Sequence, residues 1–288
     1  MRVFIVGAGL MGQGIAIDVA RKNDVVLYDV NKQALKNAEK MVGEMTDRAE
    51  IEGNISFTHD IEDVKSCDLV IEAVFENLDV KADVLRRIEG LTDAPMCSNT
   101  SVICVDDIAE RLEYRERFLG VHWMNPPHVM PLVEIVLSKY TNEEIAKFVK
   151  SFLKELGKEV VFCRNQSLVN RFNAAVLTEA SRMVSEGVGF EDIDKVWKCH
   201  LGILYTLFGP LGNIDYIGLD VVYYASLYLY QRFGDEKFRP SDWLAEKVNN
   251  GELGVKTGKG IYKYPDFETA YLERVEKVEK LLRFLGLK

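Results

Sequence analysis

The sequence predicts an α/β protein. A Rossmann-type domain with a mostly parallel sheet spans residues 1–164, and an all-helical domain follows over 165–288. Three observations predict this. Short β-rich runs alternate with helical patterns in the first part, as in a parallel sheet covered on both faces. The strands stop after about Asn165, and the composition shifts near Arg164–Ser167. The stretch Gly7-Ala8-Gly9-Leu10-Met11-Gly12 directly follows an apolar run and opens a helix, the setting that gives a GxGxxG motif its meaning. A length of 288 residues fits two domains.

Val3–Val6 reads as a buried strand, and Gly9–Arg21 has helical periodicity. Asp24–Asp29 is a second strand, and Asn31 caps a polar helix running to about Arg48. Ile55–Thr58 alternates, and Cys67–Ala73 (CDLVIEA) is another buried strand. A helix is expected at Lys81–Glu89, and strands at Met96–Asn99 and Phe118–His122 with a helix between them from Val105 to Leu112. Leu132–Val136 (LVEIV) is a further strand. Asn142 caps a helix to Leu156 that Gly157 ends, and Glu159–Phe162 is the last strand. In the second part Leu168–Glu186, Glu191–Cys199, Leu211–Phe233, Ser241–Asn250 and Thr269–Leu285 read as helices. Leu219–Tyr230 (LDVVYYASLYLY) is apolar almost all round, which predicts a buried helix with part of its surface in an oligomer interface.

Lys and Arg number 36 against 45 Asp and Glu, a net charge of −9 without a basic run. That balance argues against nucleic-acid binding and against a polybasic membrane contact. No window approaches 18 uninterrupted apolar residues, so no membrane-spanning helix is expected. The chain opens on a strand with no apolar leader and cleavage site, which argues against secretion. Five cysteines, Cys67, Cys97, Cys104, Cys163 and Cys199, include no CxxC pair and read as reduced thiols of a cytoplasmic protein. No metal is expected.

The glycine loop assigns each residue a task. Gly7 allows the tight turn, Gly9 lets the backbone approach a pyrophosphate, and Gly12 lets the helix pack close to the strand. The helix N-terminus then offers amide donors to phosphate. Asp29 ends the second strand 22 residues after Gly7, where a carboxylate accepts from ribose hydroxyls and repels a 2′-phosphate. The cofactor expected is NAD.

Histidines number only four, and His122 ends an apolar strand, the end at which α/β sheets bind ligands. Glu134 lies twelve residues on inside an apolar strand, where a carboxylate needs a partner. Paired, the two make an acid/base dyad able to take a proton from an alcohol. Ser98-Asn99-Thr100-Ser101 sits at another strand end, either as a polar turn capping the next helix or with Ser101 donating to a substrate oxygen and Asn99 holding backbone or cofactor. Asn170 and Arg171 begin the second part, where Asn170 either caps a helix or fixes a hydroxyl or carbonyl.

Together these residues resemble the L-3-hydroxyacyl-CoA dehydrogenase family over nearly the whole chain. The matching motifs are GAGLMGQGIA at Gly7–Ala16, IEAVFENLDVK at Ile71–Lys81, SNTS at Ser98–Ser101 and GVHWMNPPHVMPLVE at Gly120–Glu134. LVNR at Leu168–Arg171, FGPLGNIDYIGLD at Phe208–Asp220 and GVKTGKGIYKY at Gly254–Tyr264 complete the set. The resemblance implies a Rossmann-type domain, a helical domain that forms a homodimer, and NAD-dependent oxidation of a 3-hydroxyacyl-CoA. It makes His122 the base, Glu134 its partner, and Ser101 and Asn170 contacts to the reacting oxygen. The NAD contacts it implies are Gly7, Gly9, Leu10, Met11, Gly12, Asp29, Asn99, Glu76, Lys81 and Lys256. From the residues alone, Glu76 and Lys81 are a charged loop, and Lys256 sits in a Gly-rich loop. The chain departs from the family in two places. Only 26 residues, Val30 to Ile55, precede the third strand, where fatty-acid members carry a longer helical pair that contributes to the CoA site. Asn165-Gln166-Ser167-Leu168 replaces the usual Pro-Gly before the VNR element. Pro126-Pro127 and Glu179–Leu211 also resemble the branch of L-gulonate and carnitine dehydrogenases, which implies the same chemistry on a small 3-hydroxy acid without CoA. Lys36, Lys40, Arg48 and Lys81 are near enough in sequence to form a basic patch for CoA.

Overall fold

The computed structural model describes residues 1–46 and 51–288; Arg48 lies outside the described residues. The chain forms two compact units, Met1–Leu177 and Thr178–Lys288. The division falls later than the change from strands to helices at 164/165. The reason is local: the amides of Leu168 and Val169 donate to Glu134 in the sheet, so the start of the following helix belongs to the first unit.

The first unit is an eight-stranded sheet in the order β3-β2-β1-β4-β5-β6-β7-β8. Its strands are β1 (Arg2–Val6), β2 (Asp24–Tyr28), β3 (Ile55–Thr58), β4 (Leu69–Glu72), β5 (Met96–Ser98), β6 (Phe118–Trp123), β7 (Leu132–Leu137) and β8 (Glu159–Arg164). The strands from β3 to β6 are parallel, whereas β7 runs antiparallel to β6 and β8 follows it in parallel. Strand alternation divides the core between two faces. Val3 and Ile5 pack with Leu27 and Ile71 on the face of α1 (Leu10–Val19) and α5 (Glu143–Glu155). Phe4 and Val6 pack with Val26 and Val70 on the face of α3 (Leu78–Glu89) and α4 (Val105–Ala109). Each such fully buried side chain contributes about 1.5–3 kcal/mol. The sheet is therefore anchored on both sides, and its strand ends are held in fixed register.

The element boundaries have local causes. α2 (Lys32–Thr46) starts after Asn31, whose Oδ1 accepts from the amides of Gln33 and Ala34. α3 starts earlier than the apolar spacing predicts because Asn77 caps it, accepting from the amides of Asp79 and Val80. The Asn142 cap and the Gly157 stop, at φ 78°, bound α5 as expected. α4 is shorter than the expected Val105–Leu112 helix.

α6 (Leu168–Ser185) spans the division between the units. In the second unit α7 (Phe190–Val196) passes through a π turn at Trp197–Leu201 into α8 (Gly202–Ile217), followed by α9 (Leu219–Phe233), α10 (Asp242–Asn249) and α11 (Phe267–Phe284). The expected single helix Leu211–Phe233 is two helices, broken at Gly218, whose φ of 105° no helix accommodates. The expectation that Leu219–Tyr230 is buried is also corrected. Only Leu219 of α9 is buried, and Tyr224 and Tyr228 are 61% and 65% exposed. Periodicity finds an apolar surface, but the elements packed against α9 in this chain cover it only in part.

Candidate active site

The β1–α1 turn fits a dinucleotide. Gly7 has a φ of 105°, and a Cβ there would lie 2.7 Å from the Ala73 carbonyl oxygen. A Cβ on Gly12 would lie 1.8 Å from the Gly7 carbonyl oxygen, so only glycine lets α1 start this close to the strand. A Cβ on Gly9 meets nothing within 4 Å, because this residue faces a cavity of about 720 Å³. Gly7, Gly9, Leu10, Met11 and Asp29 line that cavity. One carboxylate oxygen of Asp29 accepts from the Ala8 amide (2.8 Å) and the other from the Asn31 amide (2.8 Å), which fixes the group at the strand end. The residues present fit NAD on these observations.

A second cavity, of about 400 Å³, adjoins the first through Met11, Ala73 and Val74. Its lining brings together Glu76, Asn99, Ser101, His122 and Asn170. His122 and Glu134 are register partners across the antiparallel β6–β7 pair, so both side chains stand on one face. His122 Nδ1 lies 3.0 Å from Glu134 Oε2. Among the described residues that leaves Nε2 as the ring nitrogen without a bonded partner. Glu134 is fully buried, and its Oε1 accepts from the amides of Leu168 (2.9 Å) and Val169 (3.0 Å). Burial pushes its carboxyl up, but the bonds from His122, Ser167 and the Val169 amide outweigh that and hold it at about 2. Glu134 is a permanent anion behind the imidazole.

The turn after β5 is tied to the same wall. Asn99 Oδ1 accepts from the Trp123 amide (2.9 Å), so Asn99 holds backbone next to His122. Asn170 Nδ2 donates to the Ser101 carbonyl. Glu76 Oε1 accepts from Thr100 Oγ1 (2.6 Å) and from the amides of Ser101 (2.9 Å) and Val102 (3.0 Å). Burial raises the Glu76 carboxyl, yet these donors and Lys81 hold it at about 2.

Lys81 is only 1% exposed, and its ammonium is engaged by Glu72 (2.9 Å), Glu76 (3.2 Å) and the Val74 carbonyl (3.3 Å). It lines neither cavity, so a direct contact of Lys81 with NAD gives way to a hold on Glu76. Nor does Lys81 add to a surface basic patch. Lys256 belongs to the second unit, where it pairs with Asp220. Sequence reasoning missed Glu72, which is fully buried and joined to Lys81 and to Ser98 Oγ (2.6 Å). The signal was present: a carboxylate inside the apolar run CDLVIEA, the same sign that exposed Glu134.

A dinucleotide cradle beside a His–Glu pair defines an NAD-dependent oxidoreductase. Comparison with known proteins narrows the class. The model of the 3-hydroxyacyl-CoA dehydrogenase NAD binding domain matches residues 2–166, and that of the 3-hydroxyacyl-CoA dehydrogenase C-terminal domain matches residues 168–264. The chain belongs to the 3-hydroxyacyl-CoA dehydrogenase family. It is 36% identical over 281 residues to a probable 3-hydroxybutyryl-CoA dehydrogenase of Deinococcus radiodurans, covering 92% of this chain and 100% of that protein. It is 32% identical over 302 residues to 5-formyl-3-hydroxy-2-methylpyridine 4-carboxylate 5-dehydrogenase of Mesorhizobium japonicum, covering 98% of this chain and 97% of the relative. Among solved structures, the 3-hydroxyacyl-CoA dehydrogenase of Archaeoglobus fulgidus is similar with a TM-score of 0.93 and 65% identity over 100% of both chains.

Proposed function

We propose that this chain reversibly oxidises a 3-hydroxyacyl-CoA to the 3-ketoacyl-CoA with NAD. The observation that carries the reading is His122, facing a cavity next to the cofactor cradle with Glu134 bonded behind it. His122 takes the hydroxyl proton at Nε2, since Nδ1 is held by Glu134. Glu134 stabilises the resulting imidazolium. Ser101 and Asn170, which line the same cavity, steady the developing carbonyl oxygen. Bound NAD would supply the hydride acceptor for the carbon that bears the hydroxyl. In the reverse direction His122 is the acid.

A second reading, the same chemistry on a small 3-hydroxy acid without CoA, is favoured by two features. The connection after Asp29 is short, and Lys81 is buried against Glu72 and Glu76 instead of forming a basic patch. The Mesorhizobium relative, by its name, acts on a pyridine carboxylate. NADH formation is measured with (S)-3-hydroxybutyryl-CoA against L-gulonate, carnitine and free 3-hydroxybutyrate. Turnover with the thioester supports the first reading, and turnover with free acids alone overturns it. The bare tyrosines of α9 support a homodimer through the helical unit, and five free cysteines support a reducing, cytoplasmic setting. Sedimentation of Tyr224→Glu/Tyr228→Glu tests the former: a species no smaller than wild type refutes that interface.

A further inference from the structure

A buried ionic cluster lies between α1 and the segment 124–131 that joins the two strands of the His122–Glu134 pair. Asp18 is on α1 and is fully buried. Its Oδ2 accepts from the Trp123 indole Nε1 (2.9 Å), and its Oδ1 lies 2.8 Å from Lys158 Nζ. Lys158 is itself buried, and it also donates to the carbonyls of Pro127 (2.8 Å) and Met130 (3.0 Å). Arg21, one turn beyond Asp18, donates from Nη2 to the His128 carbonyl (3.2 Å). Pro127 sits so close to α1 that a Cβ on Gly14 would lie 2.7 Å from its Cδ. The cluster thus fastens three carbonyls and one indole of the β6–β7 connection to the helix that carries the dinucleotide loop.

The cost of such burial is several kcal/mol per ion, and apolar residues of similar volume do as well for stability or better. What apolar packing does not supply is direction. Hydrogen bonds to chosen carbonyls and from one indole N–H set where the segment lies relative to α1. Trp123 follows His122 directly, and Trp123, Met124 and Asn125 line the cavity that His122 faces.

We propose that Asp18 and Lys158 form a positioning pair that sets the spacing between the cofactor helix and the acid/base hairpin. The pair lines neither cavity. It acts through Trp123 and the carbonyls of 127, 128 and 130, and so governs how the base and the hydride acceptor are aligned. The inference rests on the dehydrogenase reading above.

The test compares Asp18→Asn and Lys158→Met with the double variant Asp18→Val/Lys158→Met, in which no buried charge is left unpaired. Hydrogen–deuterium exchange of the amides of 124–131 is followed together with melting temperature, NAD affinity and turnover of (S)-3-hydroxybutyryl-CoA. The expected result is a double variant that melts near wild type and binds NAD within about twofold, yet shows faster exchange at 124–131 and about tenfold lower kcat. Unchanged exchange, or kcat restored along with the melting temperature, overturns the proposal. Should the double variant fail to fold, Trp123→Phe removes the indole donor together with part of the ring volume. A several-fold loss of kcat at constant NAD affinity then supports the proposal, and an unchanged kcat refutes it. Absence of thioester turnover in wild type defeats the substrate reading instead, and the exchange measurements then decide the clamp alone.

Discussion

Replacing Glu134 by Gln tests the acid/base pair at nearly constant shape. The amides of Leu168 and Val169 both converge on Oε1, at 2.9 and 3.0 Å, and both must keep an acceptor. The glutamine therefore places its carbonyl oxygen there and its NH₂ at the former Oε2 position, 3.0 Å from His122 Nδ1. An NH₂ donor makes Nδ1 the acceptor and drives the ring proton to Nε2. The free nitrogen then carries a proton and has lost its role as base. General acid–base catalysis contributes about 10²–10⁴, and wrong-tautomer substitutions in catalytic triads cost about 10⁴. We expect kcat for (S)-3-hydroxybutyryl-CoA oxidation to fall by about 10³, equivalent to about 4 kcal/mol of barrier. NAD affinity, measured by calorimetry, should hold within about twofold because Glu134 does not line the cofactor cavity. A loss of kcat below about tenfold, or an equal loss in NAD affinity, refutes the dyad.

The same carboxyl has a signature in acid. Its folded-state pKa lies below the ordinary 4.5, at about 2, so the stability it contributes is complete above pH 4.5 and is lost as pH falls toward 2. The stability gap between wild type and Glu134→Gln, from urea unfolding, should shrink by about 3 kcal/mol across that window; a gap independent of pH contradicts it. Gly12→Ala drives a methyl against the Gly7 carbonyl and should abolish detectable NAD binding in calorimetry, so retained affinity would show that the turn is not the cradle. Asp29→Asn removes the charge that repels a 2′-phosphate while keeping an acceptor for one of the two amides it holds. NAD affinity should fall about tenfold and the preference over NADP should narrow, whereas an unchanged ratio in parallel titrations refutes the assignment.

Much of this was legible because burial makes charged residues conspicuous. His122 and Glu134 stood out as a base at a strand end and a carboxylate in an apolar strand. The sequence does not say that β7 reverses direction, yet that reversal is what places the two opposite each other. Glu72 obeyed the same rule and went unread, since its partner Lys81 lies on the next helix and only the fold joins them. Asp18 was hidden differently: one acid on an apolar helix reads as a solvent-facing position, and Trp123 and Lys158 are distant in sequence. Gly218 in an apolar run gave no sign of breaking a helix, because a glycine reveals its φ only when the next element turns away. The bareness of α9 was illegible for a related reason. Periodicity reports which surface wants cover, and the rest of the chain decides whether it gets any.

Three buried carboxylates are bonded to residues that line the two adjoining cavities, and their compensation differs in a way that sorts their roles. Glu72 faces Lys81, and Asp18 faces Lys158, each a full cation within 2.9 Å. Their charge is neutralised in every state of the reaction, which suits a fixed scaffold. Glu134 has no such cation among the described residues: its donors are the Leu168 and Val169 amides, Ser167 and His122, with the Cys163 thiol 3.7 Å away. Neutral donors keep it ionised without cancelling its field. On the proposed reading that field is unopposed until His122 takes a proton, so the ion pair forms in step with the chemistry and favours the protonated product over the resting base. A lysine in place of either amide donor would hold the carboxylate as well but would remove the differential, which is the part that accelerates a reaction. The same logic explains why the dyad sits across a β6–β7 pair and at the start of α6, where backbone amides supply the donors that a scaffold pair draws from lysine.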